Sequence, residues 1–123
     1  MNRSNFKEST SYKDRRLVFF KVISIHSNQI PVVVEPTDQR KMYFPTLKLI
    51  LKPRMRILLI SMLIRHKLRL STSEGIFLFC NNINLPANAF LENIYAKFRD
   101  DDGFLYITVS NIDCYGKSLS DTI

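Results

Sequence analysis

The 123-residue chain carries 18 basic against 11 acidic side chains, a formal charge of +7, and is 46% hydrophobic with nine Phe and five Tyr. That is the make-up of one globular domain, able to bury roughly two-thirds of its unfolded surface without metal or disulfide staples. The longest near-apolar run, residues 57–64, falls far short of the about 20 residues that cross a bilayer. The polar N-terminus offers no apolar core for a signal peptide.

The positive balance points to an acidic partner, an anionic membrane surface or nucleic acid, without choosing between them. Cys80 and Cys114 are the only cysteines, so a reducing compartment and free thiols are expected, with Cys80 buried after an apolar run.

Residues 1–12 are polar apart from Phe6 and Tyr12 and read as a short helix or an ordered arm. Ser11 can cap a helix starting at Tyr12, with Asp14 in the third position. The stretch 17–25, rich in Leu, Val, Phe and Ile, fits helix by that cap and strand by its β-branched content. Ser27-Asn28-Gln29 is a turn, and Ile30-Pro31-Val32-Val33-Val34-Glu35 is a strand whose proline sits near its start.

Two stretches compete for the next strand, Lys41-Met42-Tyr43-Phe44-Pro45 and Leu47-Lys48-Leu49-Ile50-Leu51-Lys52-Pro53. Pro53 suits a helix start, and residues 54–69 carry Ile57, Ile60, Ile64 and Leu68 at helical spacing. Leu58, Leu59, Met62 and Leu63 widen that stripe into a face that should lie across a sheet. Ile76-Phe77-Leu78-Phe79-Cys80, stopped by Asn81-Asn82, reads as a central strand. Pro86 opens a helix over 87–99, with Phe90, Leu91, Ile94, Tyr95 and Phe98 on one face. Asp100-Asp101-Asp102-Gly103 forms a solvated turn, residues 104–109 a strand, and a polar segment with Tyr115-Gly116 follows.

Little here supports catalysis. His26, His66 and the two cysteines show neither a nucleophile–base arrangement nor structural-zinc spacing. Three glycines leave no phosphate-cradling loop, and the acidic turn lacks a full calcium-loop pattern. The basic residues, among them Arg15, Arg16, Lys21, Lys41, Lys48, Lys52, Arg54, Arg56 and Arg65, come without a nucleic-acid-binding module. They suit a solvated face, an acidic peptide groove or an anionic lipid surface. A strand edge flanked by basic and apolar residues can also dock an extended peptide.

These motifs, in this order and spacing, resemble the autophagy ubiquitin-like modifiers, the family of microtubule-associated protein light chain 3 and the GABA-receptor-associated protein. The resemblance runs from about Phe6 to Gly116. It rests on Ile30 to Glu35, Ile64-Arg65-His66-Lys67-Leu68, Ile76 to Asn82, Leu85-Pro86, Ile94-Tyr95, Asp101 to Tyr106 and Tyr115-Gly116.

The resemblance implies an α+β, ubiquitin-like β-grasp roll with an added N-terminal helical segment, and it favours helix over 12–23. The implied division is an N-terminal extension (1–26), a ubiquitin-like core (27–110) and a C-terminal arm (111–123) with a removable tail after Gly116. The implied protein is a monomeric tag, not an enzyme, with no cofactor and no nucleic-acid partner. A cysteine protease trims it after Gly116. Activating and conjugating enzymes then pass Gly116 to phosphatidylethanolamine, taking the protein from the cytoplasm to the autophagosome membrane.

There it recruits receptors bearing an aromatic-x-x-aliphatic motif. Val22, Pro31, Val33 and Phe104 match the family's aromatic pocket. With the second strand placed at 47–53, which needs fewer length changes, Lys48, Ile50 and Leu51 line the groove, and Leu59, Ile60 and Leu63 lie near the second pocket. His26 to Gln29, Val18 and Val22-Ile23 depart from the family pattern in ways that bear on motif preference. The readings from other classes are a ubiquitin-like adaptor that is never conjugated and a basic domain binding nucleic acid or anionic lipid.

Overall fold

The computed structural model describes residues 4–71 and 74–111. Its elements are α1 (Asn5–Ser9), α2 (Tyr12–Ile25), β1 (Ile30–Pro36), β2 (Leu47–Leu51), α3 (Ile57–Lys67), β3 (Ile76–Cys80), β4 (Ile83–Asn84), α4 (Leu91–Phe98) and β5 (Leu105–Asn111). The strands form one sheet in the order β2-β1-β5-β3-β4. The central strand β5 runs parallel to its neighbour β1; every other pair is antiparallel.

The sheet is covered on both faces. Alternation along β1 sends Val32 and Val34 into the main core with Ile57, Ile60 and Ile64 of α3, Leu91 and Ile94 of α4, and Leu105, Ile107 and Val109 of β5. Val33 points the other way, into a smaller cluster with Phe6 of α1 and Phe104, against which Phe19 of α2 and Tyr106 pack. A strand buried on both faces has no reason to alternate, which is why all of β1 is buried and its first five residues are apolar.

The N-terminal helices begin as their serines require. Ser4 Oγ accepts from the Lys7 amide at 3.1 Å, and Ser11 Oγ accepts from the Asp14 amide at 3.2 Å. Such caps satisfy donors that a helix cannot satisfy itself and contribute about 1 kcal/mol each. The competing second-strand registers are resolved in favour of 47–51, paired with β1 as Pro31↔Ile50 and Val33↔Lys48. Residues 41–44 form no strand, although Phe44 is buried.

Several expectations need correction. The long helix starts at Ile57, not at Arg54. Arg56 is held extended in a bridge to Phe90, and the first α3 donors, the Ile57 and Leu58 amides, bond the Ala89 and Ala87 carbonyls at 2.9 and 2.8 Å. The same exchange takes residues 87–90 out of the following helix, which starts at Leu91. Leu58, Leu59 and Met62, expected to widen the buried stripe, are 57%, 51% and 57% exposed.

The acidic turn is not simply solvated, because Asp102 is fully buried. Finally, Asn81 and Asn82 do more than stop β3. Both have positive φ, 50° and 66°, and turn the chain directly into β4 with Cys80 opposite Ile83. Two left-handed residues match the twist of a hairpin, and asparagine tolerates that conformation.

Candidate functional site

The parallel pairing of β1 with β5 brings the two ends of the chain to one face. At its centre is Asp102. Its Oδ2 accepts from Arg15 Nε at 2.8 Å and from the Tyr106 hydroxyl at 2.5 Å, and its Oδ1 accepts from the Phe104 amide at 2.9 Å. Arg15 NH1 donates onward to the Thr10 carbonyl at 2.6 Å and the Lys7 carbonyl at 3.3 Å, closing the end of α1. A buried carboxylate is tolerated only with such a full set of partners.

Burial raises the Tyr106 phenol well above its ordinary value, and its bond to the Asp102 carboxylate raises it further. At the rim, Asp100 pairs with Lys7 at 2.5 Å. Partial burial would raise the Asp100 carboxyl, but the hydrogen bonds from Lys7 and the Asp102 amide outweigh it and hold the carboxyl below its ordinary value.

This network positions an aromatic cluster. Phe104 meets Phe6 edge-on at 5.4 Å between centroids and Phe19 at 5.9 Å. Gly103 makes room for it: φ is +101°, and a Cβ there would lie 2.5 Å from the Phe19 ring. Only glycine meets both conditions. Glu35, also buried, accepts from the Phe6 amide and the Thr46 hydroxyl, both at 3.0 Å, and so ties α1 to β1.

The pairing register sets Pro31, Val33, Lys48 and Ile50 side by side on this face. Pro31 and Val33 are fully buried, Ile50 is half-buried, and Lys48 is exposed with Nζ 4.5 Å from the Phe6 ring. Val22 of α2 is half-buried, and Phe104 is 3% exposed beneath Phe6 and Phe19. Leu51 and Ile60 belong to the main core behind the groove, not to its surface, and Leu63 packs partly buried against that core. Leu59 is exposed. Among the described residues, no strand pairs with the outer edge of β2.

Gly116 and Cys114 lie outside the described residues. Phe6 and Phe19, absent from the expected groove residues, also belong to this site. Phe6, the one phenylalanine in a polar arm, was the available signal.

Chemically the site is built to bind. Among the described residues no three His, Cys, Asp or Glu side chains gather as metal ligands. Cys80, free and buried, donates to the Tyr106 carbonyl at 3.3 Å, and burial pushes its thiol up to about 12. A thiol so high is a poor nucleophile. No helix among the described residues is long and apolar enough to cross a membrane.

A mixed sheet crossed by α3 on one face and capped by two N-terminal helices on the other defines a ubiquitin-like protein with an N-terminal extension. The comparisons name the family. Residues 14–116 match the model described as autophagy protein Atg8, ubiquitin like. The chain is 29% identical over 118 residues to autophagy-related protein 8 of Cochliobolus heterostrophus, covering 95% of this chain and 99% of that one. It is 30% identical over 115 residues to the Coccidioides immitis protein of the same name, covering 93% and 98%.

Among solved structures, Trypanosoma brucei ATG8 superposes with a TM-score of 0.81 at 25% identity over 89% of this chain and 96% of that one. Plasmodium falciparum Atg8, solved with a P. falciparum Atg3 peptide, gives 0.77 at 23% identity over 88% and 96%. The chain belongs to the Atg8 family: it is a ubiquitin-like protein of autophagy, not an enzyme.

Proposed function

We propose that this protein is a conjugated autophagy modifier. A cysteine protease hydrolyses the Gly116–Lys117 bond; an activating enzyme adenylates the Gly116 carboxylate with ATP, releasing pyrophosphate, and its cysteine displaces AMP to form a thioester; the thioester passes to a cysteine of the conjugating enzyme, and the amine of phosphatidylethanolamine displaces that thiol to form an amide. The observation that carries this reading is that the family match ends on Gly116, with Lys117 following it. Glycine suits the role because no side chain crowds a protease channel or a thioester. Residues 111–123 serve as the arm and its removable tail. The protein moves in this way from the cytoplasm to the autophagosome membrane.

On that membrane the free edge of β2 takes up receptors with an aromatic-x-x-aliphatic motif as an added strand. Backbone bonds supply affinity, and side-chain pockets supply selectivity. Lys48 and Ile50 present the accessible lining, with Val22, Pro31, Val33 and Phe104 behind them. An aromatic ligand ring reaches Phe104 only if Phe6 or Phe19 moves aside, so motif affinity carries the cost of that movement. Leu59 and Leu63 flank the aliphatic end, over Leu51 and Ile60.

Intact mass of the protein from its native cells tests the proposal. Loss of residues 117–123 with gain of a phospholipid mass supports it, and Gly116→Ala should abolish that gain while the fold persists. A full-length mass that survives exposure to the cognate protease refutes it and leaves a non-conjugated adaptor. The groove is tested separately: an aromatic-x-x-aliphatic peptide should shift the Val33 and Phe104 amide signals, and silence at millimolar peptide removes the groove from the proposal.

A further inference from the structure

A polar cavity of about 690 Å³ opens beside α1, on the face of the sheet that the N-terminal helices cover. Its floor is the end of the parallel β1–β5 pair, where Glu35 stands opposite Thr108. Thr37 follows, its amide held to the Val109 carbonyl at 2.8 Å. Lys7 and Glu8 of α1 form one wall, and Asn81 and Asn82 of the β3–β4 turn form the other. No residue of β2, α2 or α3 lines it, so binding here needs neither the groove nor conjugation. Its volume is that of a small-ligand site.

Two acceptors in it are incompletely used. Glu35 is buried, and its bonds from the Phe6 amide and the Thr46 hydroxyl both fall on Oε2. No lysine or arginine among the described residues pairs with it. The Thr37 hydroxyl is buried without a hydrogen-bond partner among the described residues. A buried carboxylate ordinarily holds a cation or a full set of donors, and an unpaired buried hydroxyl destabilises a fold. Thr37 as a whole is only half-buried, so one step of χ1 turns its hydroxyl into the cavity.

Charge favours a cation. Lys7 is committed to Asp100 at 2.5 Å, with Nζ 4.6 Å from the centre of the Tyr106 ring, which leaves the two glutamates to set the sign of the cavity. The chain as a whole carries +7 and repels cations, so a cation held here is held by the site and not by the general field.

We propose that this cavity binds a primary ammonium group on an aliphatic chain. Its three donors meet Glu35 Oε1, the Thr37 hydroxyl and the Thr108 hydroxyl. Glu35 and Thr37 are two residues apart and Thr108 is the partner of Glu35 across the ladder, so the three acceptors converge on one such group. A guanidinium fits less well, because its planar fork wants both carboxylate oxygens and Oε2 is taken. The ammonium comes from a free aliphatic amine or from a lysine side chain of a partner.

Spermidine and the peptide acetyl-Gly-Lys-Gly-amide, titrated separately into the full chain, are the probes, and the Thr37 and Thr108 methyl signals are the readout. Saturable shifts at both methyls are expected. Shifts with spermidine alone identify a free amine as the source, shifts with the peptide alone identify a lysine side chain, and shifts with both support the shared ammonium. Thr37→Val removes the hydroxyl at nearly constant volume. Followed at Thr108, it should weaken binding at least about tenfold, the scale of a hydrogen bond to a charged group. The urea midpoint should stay or rise, because an unpaired buried hydroxyl is gone; a hydroxyl of purely structural use would lower the midpoint and leave binding unchanged, which overturns the proposal. Glu35→Gln keeps an acceptor for Phe6 and Thr46 and should abolish binding, with circular dichroism checking the fold; Thr37→Val decides the case if that variant does not fold. Absence of methyl shifts at millimolar probe, or equal shifts with the neutral 1,5-pentanediol, also overturns the proposal.

Discussion

Replacing Arg15 with Met isolates the interaction that ties the N-terminal helices to the sheet. The Arg15 and Asp102 side chains are 10% and 0% exposed, so water replaces little of what is lost. The substitution leaves a buried carboxylate with only the Tyr106 hydroxyl and the Phe104 amide. It also strips the Thr10 and Lys7 carbonyls of their guanidinium donor. Breaking one side of a buried pair costs about 3–5 kcal/mol, a large share of the about 5–15 kcal/mol that stabilises a domain.

The chain has no tryptophan, so urea unfolding is best followed by far-ultraviolet circular dichroism. The expected change is a drop in midpoint on the order of 2 M, from the linear dependence of stability on denaturant. The melting temperature should fall on the order of 10–20 °C. Adding Asp102→Asn to Arg15→Met should recover part of the loss, because the uncompensated charge is then gone. A loss below about 1 kcal/mol for Arg15→Met, the range of an exposed pair, would refute the account of this network as the clamp.

Tyr106 and Arg69 give two further expectations. The Tyr106 phenol is raised in the folded state, so the folded protein holds a proton that the unfolded chain releases above pH about 10. Its contribution is intact below that pH and is lost as pH rises beyond it. Denaturation across the alkaline range should show a decline that Tyr106→Phe lacks, and equal pH dependence in both proteins counts against the raised phenol. Arg69 sits past the end of α3 at φ 58°, with the Leu70 amide bonded to the Arg65 carbonyl at 3.1 Å. A helix end of this form favours glycine, so Arg69→Gly should stabilise by about 0.5–1 kcal/mol in the same urea assay. Destabilisation would mean that the Arg69 side chain makes a contact outweighing the backbone gain.

What the sequence alone determined was whatever rests on short-range pattern. Ser11 before an apolar stretch marks the start of α2, the stretch read as a strand at 30–35 is β1 but for its last residue, and the Asn-Asn and Asp-Gly pairs sit at turns. Each is a property of a few adjacent residues, and the family resemblance is the ordered sum of such properties.

Tertiary structure decided what depends on partners far along the chain. Arg15 and Asp102 are 87 residues apart, and in sequence each looks like a member of a solvated charge cluster. They are buried because the parallel β1–β5 pairing brings the chain ends together, and two opposite charges can leave water only as a hydrogen-bonded pair. The start of α3 could not be read from Pro53, because its first donors are satisfied by carbonyls of residues 87 and 89. For the same kind of reason, periodicity assigned α3 an apolar face but could not say how much of it the sheet would cover. A helix of this width lays one stripe on the sheet, and Leu58, Leu59 and Met62 are left for solvent or a partner.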